Sequence, residues 1–119
     1  MNDILRIDQN ERRSRAVVHG GMVFLAGQVA DNKSAPIAEQ TREALAKVDA
    51  MLARAGSDRS RLLTAQIWLR TMDDYDAMNA VWDAWVVPRQ RPTRCCGKVE
   101  LADPRWRVEV VVTAAVQHA

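Results

Sequence analysis

Chemistry in this chain concentrates between residues 91 and 109, where Arg94, Cys95, Cys96 and Glu109 stand on two segments of strand-like alternation. On the last segment Val108, Val110, Val112, Ala114 and Val116 share one apolar face, which leaves Arg107, Glu109, Val111, Thr113 and Ala115 on the other. On the preceding segment Arg94, Cys96, Lys98 and Glu100 share a face, opposite Cys95, Gly97, Val99 and Leu101. If the two strands pair, or lie close in one sheet, Arg94 and Glu109 look into the same space. An arginine and a glutamate so placed ordinarily form a solvated ion pair worth under about 1 kcal/mol. Glu109 departs from that pattern because it sits inside a run of valines. A carboxylate among buried side chains is costly unless it has a partner or a task.

The other reactive side chains offer less. Cys95 and Cys96 are adjacent, so ordinary disulfide geometry disfavours a bond between them. The pair has no further His or Cys nearby to complete a zinc motif, and both read as unoxidised thiols. His19 stands beside an expected hairpin turn and His118 next to the last residue, both unsupported as metal ligands or general bases.

The elements that must position Arg94 and Glu109 follow from periodicity. Residues 4–7 suit a short strand, and Arg12-Arg13-Ser14-Arg15 forms a solvated edge or the lip of a pocket. Ala16-Val17-Val18-His19, Gly20-Gly21 and an apolar strand over 22–29 read as a hairpin, with Gly27 marking a bulge or close backbone approach. Pro36 starts an amphipathic helix whose apolar stripe is Ile37, Thr41, Ala44, Leu45, Val48, Leu52 and Ala55, and Gly56 ends it. Residues 62–70 give a strand with Leu63, Ala65, Ile67 and Leu69 on its apolar face. A second helix is expected from a cap at Asp73, with Tyr75, Met78, Val81, Trp82 and Trp85 buried and Pro88 as its stop. Pro92 admits the next strand and Asp103-Pro104 turns the chain into the last.

That order predicts an α+β layer: a mixed sheet with both helices on one face. The other face would hold Gln66, Trp68, Cys96, Glu109, Val111 and Thr113, too apolar for water and too polar for a dry core. Such a surface suits a subunit interface, so a homo-oligomer with pockets between subunits is expected. At 119 residues the chain reads as a single domain, 1–119, large enough for a core without staples. Its formal charge of +2 is too near balance to argue for nucleic acid. No apolar run approaches membrane-spanning length, and the N-terminal segment lacks a signal-peptide pattern, so a cytoplasmic protein is expected.

The chain resembles the Rid family of reactive-intermediate deaminases, also called the YjgF family, and more closely its YoaB-like branch. The matching stretches are Val23-Phe24-Leu25-Ala26-Gly27-Gln28-Val29, Gln40-Thr41, Ala55-Gly56-Ser57-Asp58, Asn79-Ala80-Val81-Trp82-Asp83-Ala84-Trp85, Pro92-Thr93-Arg94-Cys95 and Val108-Glu109-Val110. Each is weak alone; the ordered set spans nearly the whole chain. The resemblance implies a chorismate-mutase-like α+β fold, a homotrimer with a cleft at each subunit interface, and hydrolysis of enamine/imine intermediates such as 2-aminoacrylate to 2-oxo acids and ammonia. It also implies that Arg94 grips the substrate carboxylate, as a planar guanidinium fork can, and that Glu109 positions or activates water. The backbone of Cys96 would line the same pocket, while Asn79, Gly27 and Gln28 read as architectural. No metal or organic cofactor is implied, because the imine needs only water and orientation.

Two departures bear on the substrate. Archetypal members carry a tyrosine near the N-terminal segment and a serine or threonine before the Gly-Gln pair. Here the only tyrosine is Tyr75 and Ala26 precedes Gly27, leaving Arg13 or Ser14 to line the pocket beside Ala26. Two other functions fit the same residues: a non-catalytic protein that binds or senses small carboxylates in the cleft, and a nucleic-acid-directed or chaperone role. Near-balanced charge and scarce aromatics speak against nucleic-acid binding.

Overall fold

The hairpin expected at Gly20-Gly21 forms, with both glycines at positive φ, 59° and 77°. A two-residue reversal between right-twisted strands requires that conformation, and glycine adopts it without a steric penalty. In the computed structural model, which describes residues 3–117, this turn joins β2 (Ala16–His19) to β3 (Met22–Leu25). β1 (Leu5–Ile7) pairs outside β2, and β6 (Val108–Ala115) pairs with β3 on its other side. β4 (Leu62–Leu69) lies antiparallel to β6, and β5 (Thr93–Lys98) closes the sheet parallel to β4, giving the order β1-β2-β3-β6-β4-β5. α1 (Ile37–Arg54) and α2 (Tyr75–Trp85) pack on one face of this mixed sheet, as expected of an α+β layer.

α1 begins after Pro36, which holds the extended conformation of a cap. Its expected stripe from Ile37 to Ala55 is buried throughout, joined by Gln40 and Met51. The helix ends as Gly56 takes a φ of 81° and the Ser57 amide donates back to the Leu52 carbonyl at 2.8 Å, which satisfies an otherwise orphaned acceptor. At α2 the expected cap fails. Thr71 Oγ1 accepts from the Asp73 amide and starts a single 3-10 turn, Met72–Asp74, that runs into the helix. Met78 and Trp82 form the buried part of α2, whereas Tyr75 is exposed.

The apolar alternation of β4 is broken by a bulge between Leu62 and Thr64. Leu62 therefore turns inward at 6% exposure and Leu63 outward at 40%, reversing the expected assignment of that pair. The strand expected over 22–29 stops at Leu25, after which only a bridge between Gln28 and Val110 continues the ladder.

Cross-strand register assigns the faces. Ala65, Ile67 and Leu69 stand level with Val112, Val110 and Val108 on one side and with Arg94, Cys96 and Lys98 on the other, and this is the helix-covered face. The open face carries Phe24, Thr64, Gln66, Trp68, Cys95, Gly97, Glu109, Val111 and Thr113. Cys96 was expected there, but the parallel register of β5 on β4 puts Cys95 outward and packs Cys96 against the core. Among the described residues no helix is long and apolar enough to cross a membrane.

Candidate functional site

Arg94 and Glu109 do not share a space within one chain. β4 lies between their strands, and the register sends Arg94 to the helix side and Glu109 to the open side. The alternation within each strand was legible; the relation between the two strands was not, because an intervening partner has no local sequence signal.

Each residue is nonetheless held in a defined setting. Arg94 sits on the edge strand, half-buried against α2, where its Nη1 donates to Asn79 Oδ1 at 2.8 Å and the guanidinium lies 5.5 Å from the Trp82 ring. Asn79 and Trp82 are three residues apart, so one face of the helix supplies both contacts. Among the described residues the fork makes no ion pair, which leaves donors free for a carboxylate. Asn79, read from sequence as architectural, is the residue that orients Arg94. Its one-turn spacing from Trp82 was the signal for that role.

Glu109 is half-buried beside Trp68 across the sheet. Burial raises its carboxyl above the ordinary glutamate range, and no cation lowers it again. Its side chain lies directly over Gly27: a Cβ built on that glycine would stand 1.9 Å from Glu109 Oε2. Gly27 thus lacks a side chain because the carboxylate occupies the place. Gly97 differs, since a Cβ there would meet the Trp68 ring at an ordinary 3.4 Å.

The segment entering Glu109 is clamped. Arg107 donates its amide to Gln40 Oε1 at 2.8 Å and its guanidinium to both oxygens of the buried Asp74, at 2.7 and 3.1 Å. Gln40, fully buried, places Nε2 within 3.1–3.2 Å of the carbonyls of Lys33, Ala35 and Arg105. These contacts join the start of α1, the loop before β6 and the entry to α2. Only the Gln-Thr pair hinted at them, and no periodicity argument finds a buried glutamine.

The remaining candidates separate. Cys95 is exposed and Cys96 half-buried, and neither is bonded. Burial raises the Cys96 thiol, which disfavours the thiolate. Ala26 and Gly27 line a cavity of about 110 Å³ together with Arg13, Arg15 and Lys47, whereas Ser14 does not line it. His19 is exposed, and among the described residues no cluster of His, Cys, Asp and Glu could hold a metal. His118 lies outside the described residues.

The sequence and the fold have counterparts among known proteins. The family described as Endoribonuclease L-PSP matches residues 4–116. The RutC family protein YoaB of Escherichia coli is 42% identical over 113 residues, covering 95% of this chain and 98% of that protein. A crystal structure of a YjgF-family protein from Neisseria meningitidis superposes with a TM-score of 0.95 at 45% identity, covering 98% of each chain. A more distant relative, the 3-aminoacrylate deaminase RutC of Acinetobacter baylyi, is 35% identical over 79 residues, 66% of this chain and 62% of that one.

Proposed function

The chain belongs to the YjgF/Rid family, described as Endoribonuclease L-PSP, and from that premise we propose that it hydrolyses 2-aminoacrylate and 2-iminopropionate-type intermediates to 2-oxo acids and ammonia. The observation that carries this reading is Glu109, a desolvated carboxylate with no cation to neutralise it, displayed on the open face over a glycine. Desolvation strengthens it as a base near neutral pH. Arg94, with Asn79 and Trp82 fixing its plane, supplies the fork for the substrate carboxylate. With the acid held, water adds to the carbon of the imine tautomer and one of its protons passes by way of Glu109 to nitrogen; the hydroxyl proton of the resulting carbinolamine follows to the amino group as the carbon–nitrogen bond breaks, which releases ammonia and leaves the 2-oxo acid. The reaction as written draws on no metal or organic cofactor.

Because the two residues leave opposite faces of one sheet, the site is completed between subunits. We place Glu109 of one copy opposite Arg94 of the next, in a homotrimer whose open faces turn inward. Phe24, Trp68 and Val111 supply the apolar area for that contact, and Arg94 stands on an edge strand that a neighbour can reach.

Imines generated by an amino-acid oxidase, followed by imine loss and ammonia release, test the reading. Wild type is expected to accelerate imine loss and Arg94→Lys to lose most of that rate, since a point charge cannot replace a planar fork. Carboxylate binding by calorimetry without acceleration of any imine would instead select a binding or sensing protein, the reading favoured by Arg94's free donors alone.

A further inference from the structure

The cavity beside Ala26 and Gly27 has no use in the reaction just described, yet its charge is distinctive. Arg13, Arg15 and Lys47 line a space of about 110 Å³, room enough for one carboxylate or phosphate group. Lys47 is engaged, donating to the Val29 carbonyl at 2.9 Å and to Asp31 at 2.8 Å. Arg13 and Arg15 have no carboxylate within ion-pair distance among the described residues. They are not counter-charges for Glu109 either, whose carboxyl is shifted by burial alone.

The backbone that carries the two arginines is fixed. Asn10 Oδ1 accepts from the amides of Arg12 and Arg13 at 2.8 and 2.9 Å, and the Asn10 amide donates to the Arg13 carbonyl at 2.9 Å. Arg15 donates its amide to the Ile7 carbonyl and accepts from the Ala26 amide, at 2.8 and 2.9 Å. Asp8, at a φ of 54°, anchors the start of the loop through a two-point ion pair with Arg54. That fixed backbone brings two arginines to one open space, and a planar guanidinium fork suits an anion.

Gly27 is common to both features: Glu109's carboxylate covers one flank, and the cavity opens along the same residue. We propose that the Arg13–Arg15 cavity is an anion subsite of the Glu109 site, and that it selects imino and oxo acids bearing a second, distal carboxylate over monocarboxylic ones. This rests on the reading of Glu109 as the reacting centre. The α-carboxylate goes to Arg94, the reacting carbon to Glu109, and the side-chain acid to Arg13 and Arg15.

Calorimetry with 2-oxoglutarate, pyruvate and inorganic phosphate, beside turnover of imines from dicarboxylic and monocarboxylic amino acids, tests it. Wild type should bind 2-oxoglutarate about tenfold or more tighter than pyruvate, the worth of one charge-assisted hydrogen bond. The same preference should appear in the kcat/KM ratio. The double variant Arg13→Gln, Arg15→Gln should bring both ratios near one, and Arg13→Lys should retain part of the gap. Equal affinities in wild type, or a gap that survives the double variant, would overturn the proposal. So would phosphate binding that depends on both arginines while the oxo-acid ratio ignores them, since that marks an isolated anion site. A gap that closes as expected with no imine accelerated keeps the subsite and removes the deaminase reading. Turnover of monocarboxylic imines without any gap does the reverse.

Discussion

At the scale of single residues, Glu109 and Gly27 act as a pair, and they separate function from stability. Glu109's carboxyl titrates higher in the folded chain than in the unfolded one, so the fold binds that proton more readily. Its contribution to stability is then present at low pH and lost as pH rises through the raised folded value. Glu109→Gln removes that loss, and at neutral pH its melting temperature should equal or exceed wild type while imine turnover falls about a hundredfold or more; scanning calorimetry beside the ammonia assay checks both. Wild-type kcat/KM should rise with pH through an acid limb lying above the ordinary glutamate range, and Glu109→Gln should flatten it. Gly27→Ala forces the carboxylate aside because the new methyl would overlap it, so turnover should drop about a hundredfold with the fold retained. Gly97→Ala meets only an ordinary ring contact and should stay within about threefold of wild type. Equal effects of the two glycine substitutions would sink the pairing of Gly27 with Glu109.

At the scale of elements, the Gln40 clamp decides how firmly β6 presents Glu109. Gln40→Leu strips the Arg107 amide and three carbonyls of a buried partner, and unfolding in denaturant should show a loss of about 3 kcal/mol. This is also where the sequence proved only partly legible. The α1 stripe, the Gly-Gly reversal and the last strand's alternation were readable because each depends on residues a few positions apart. The β4 bulge inverted Leu62 and Leu63, since an extra residue in one strand leaves no trace in composition. Tyr75 was misplaced because Thr71, not Asp73, starts the turn that leads into α2. Arg94 and Glu109 are singled out by residue type and alternation, but their separation by β4 and the placing of Cys95 rather than Cys96 outward depend on a parallel pairing that only the assembled sheet specifies.

At the scale of the whole molecule, the proposed site between subunits rests on an open face bearing Phe24, Trp68 and Val111 beside a split constellation. Light scattering should give three times the chain mass, and Val111→Asp, which buries a charge in the contact, should yield single copies that accelerate no imine; active single copies would refute the shared cleft. Mixing Arg94→Ala with Glu109→Gln chains should then restore some turnover, since a mixed trimer can hold one intact pairing. β5 adds a hazard of its own: it is bonded on one side only, and an uncovered edge is a ready template for stray strands. Stray pairing of that kind is at least bimolecular, so turbidity on storage should appear soonest in the most concentrated solutions.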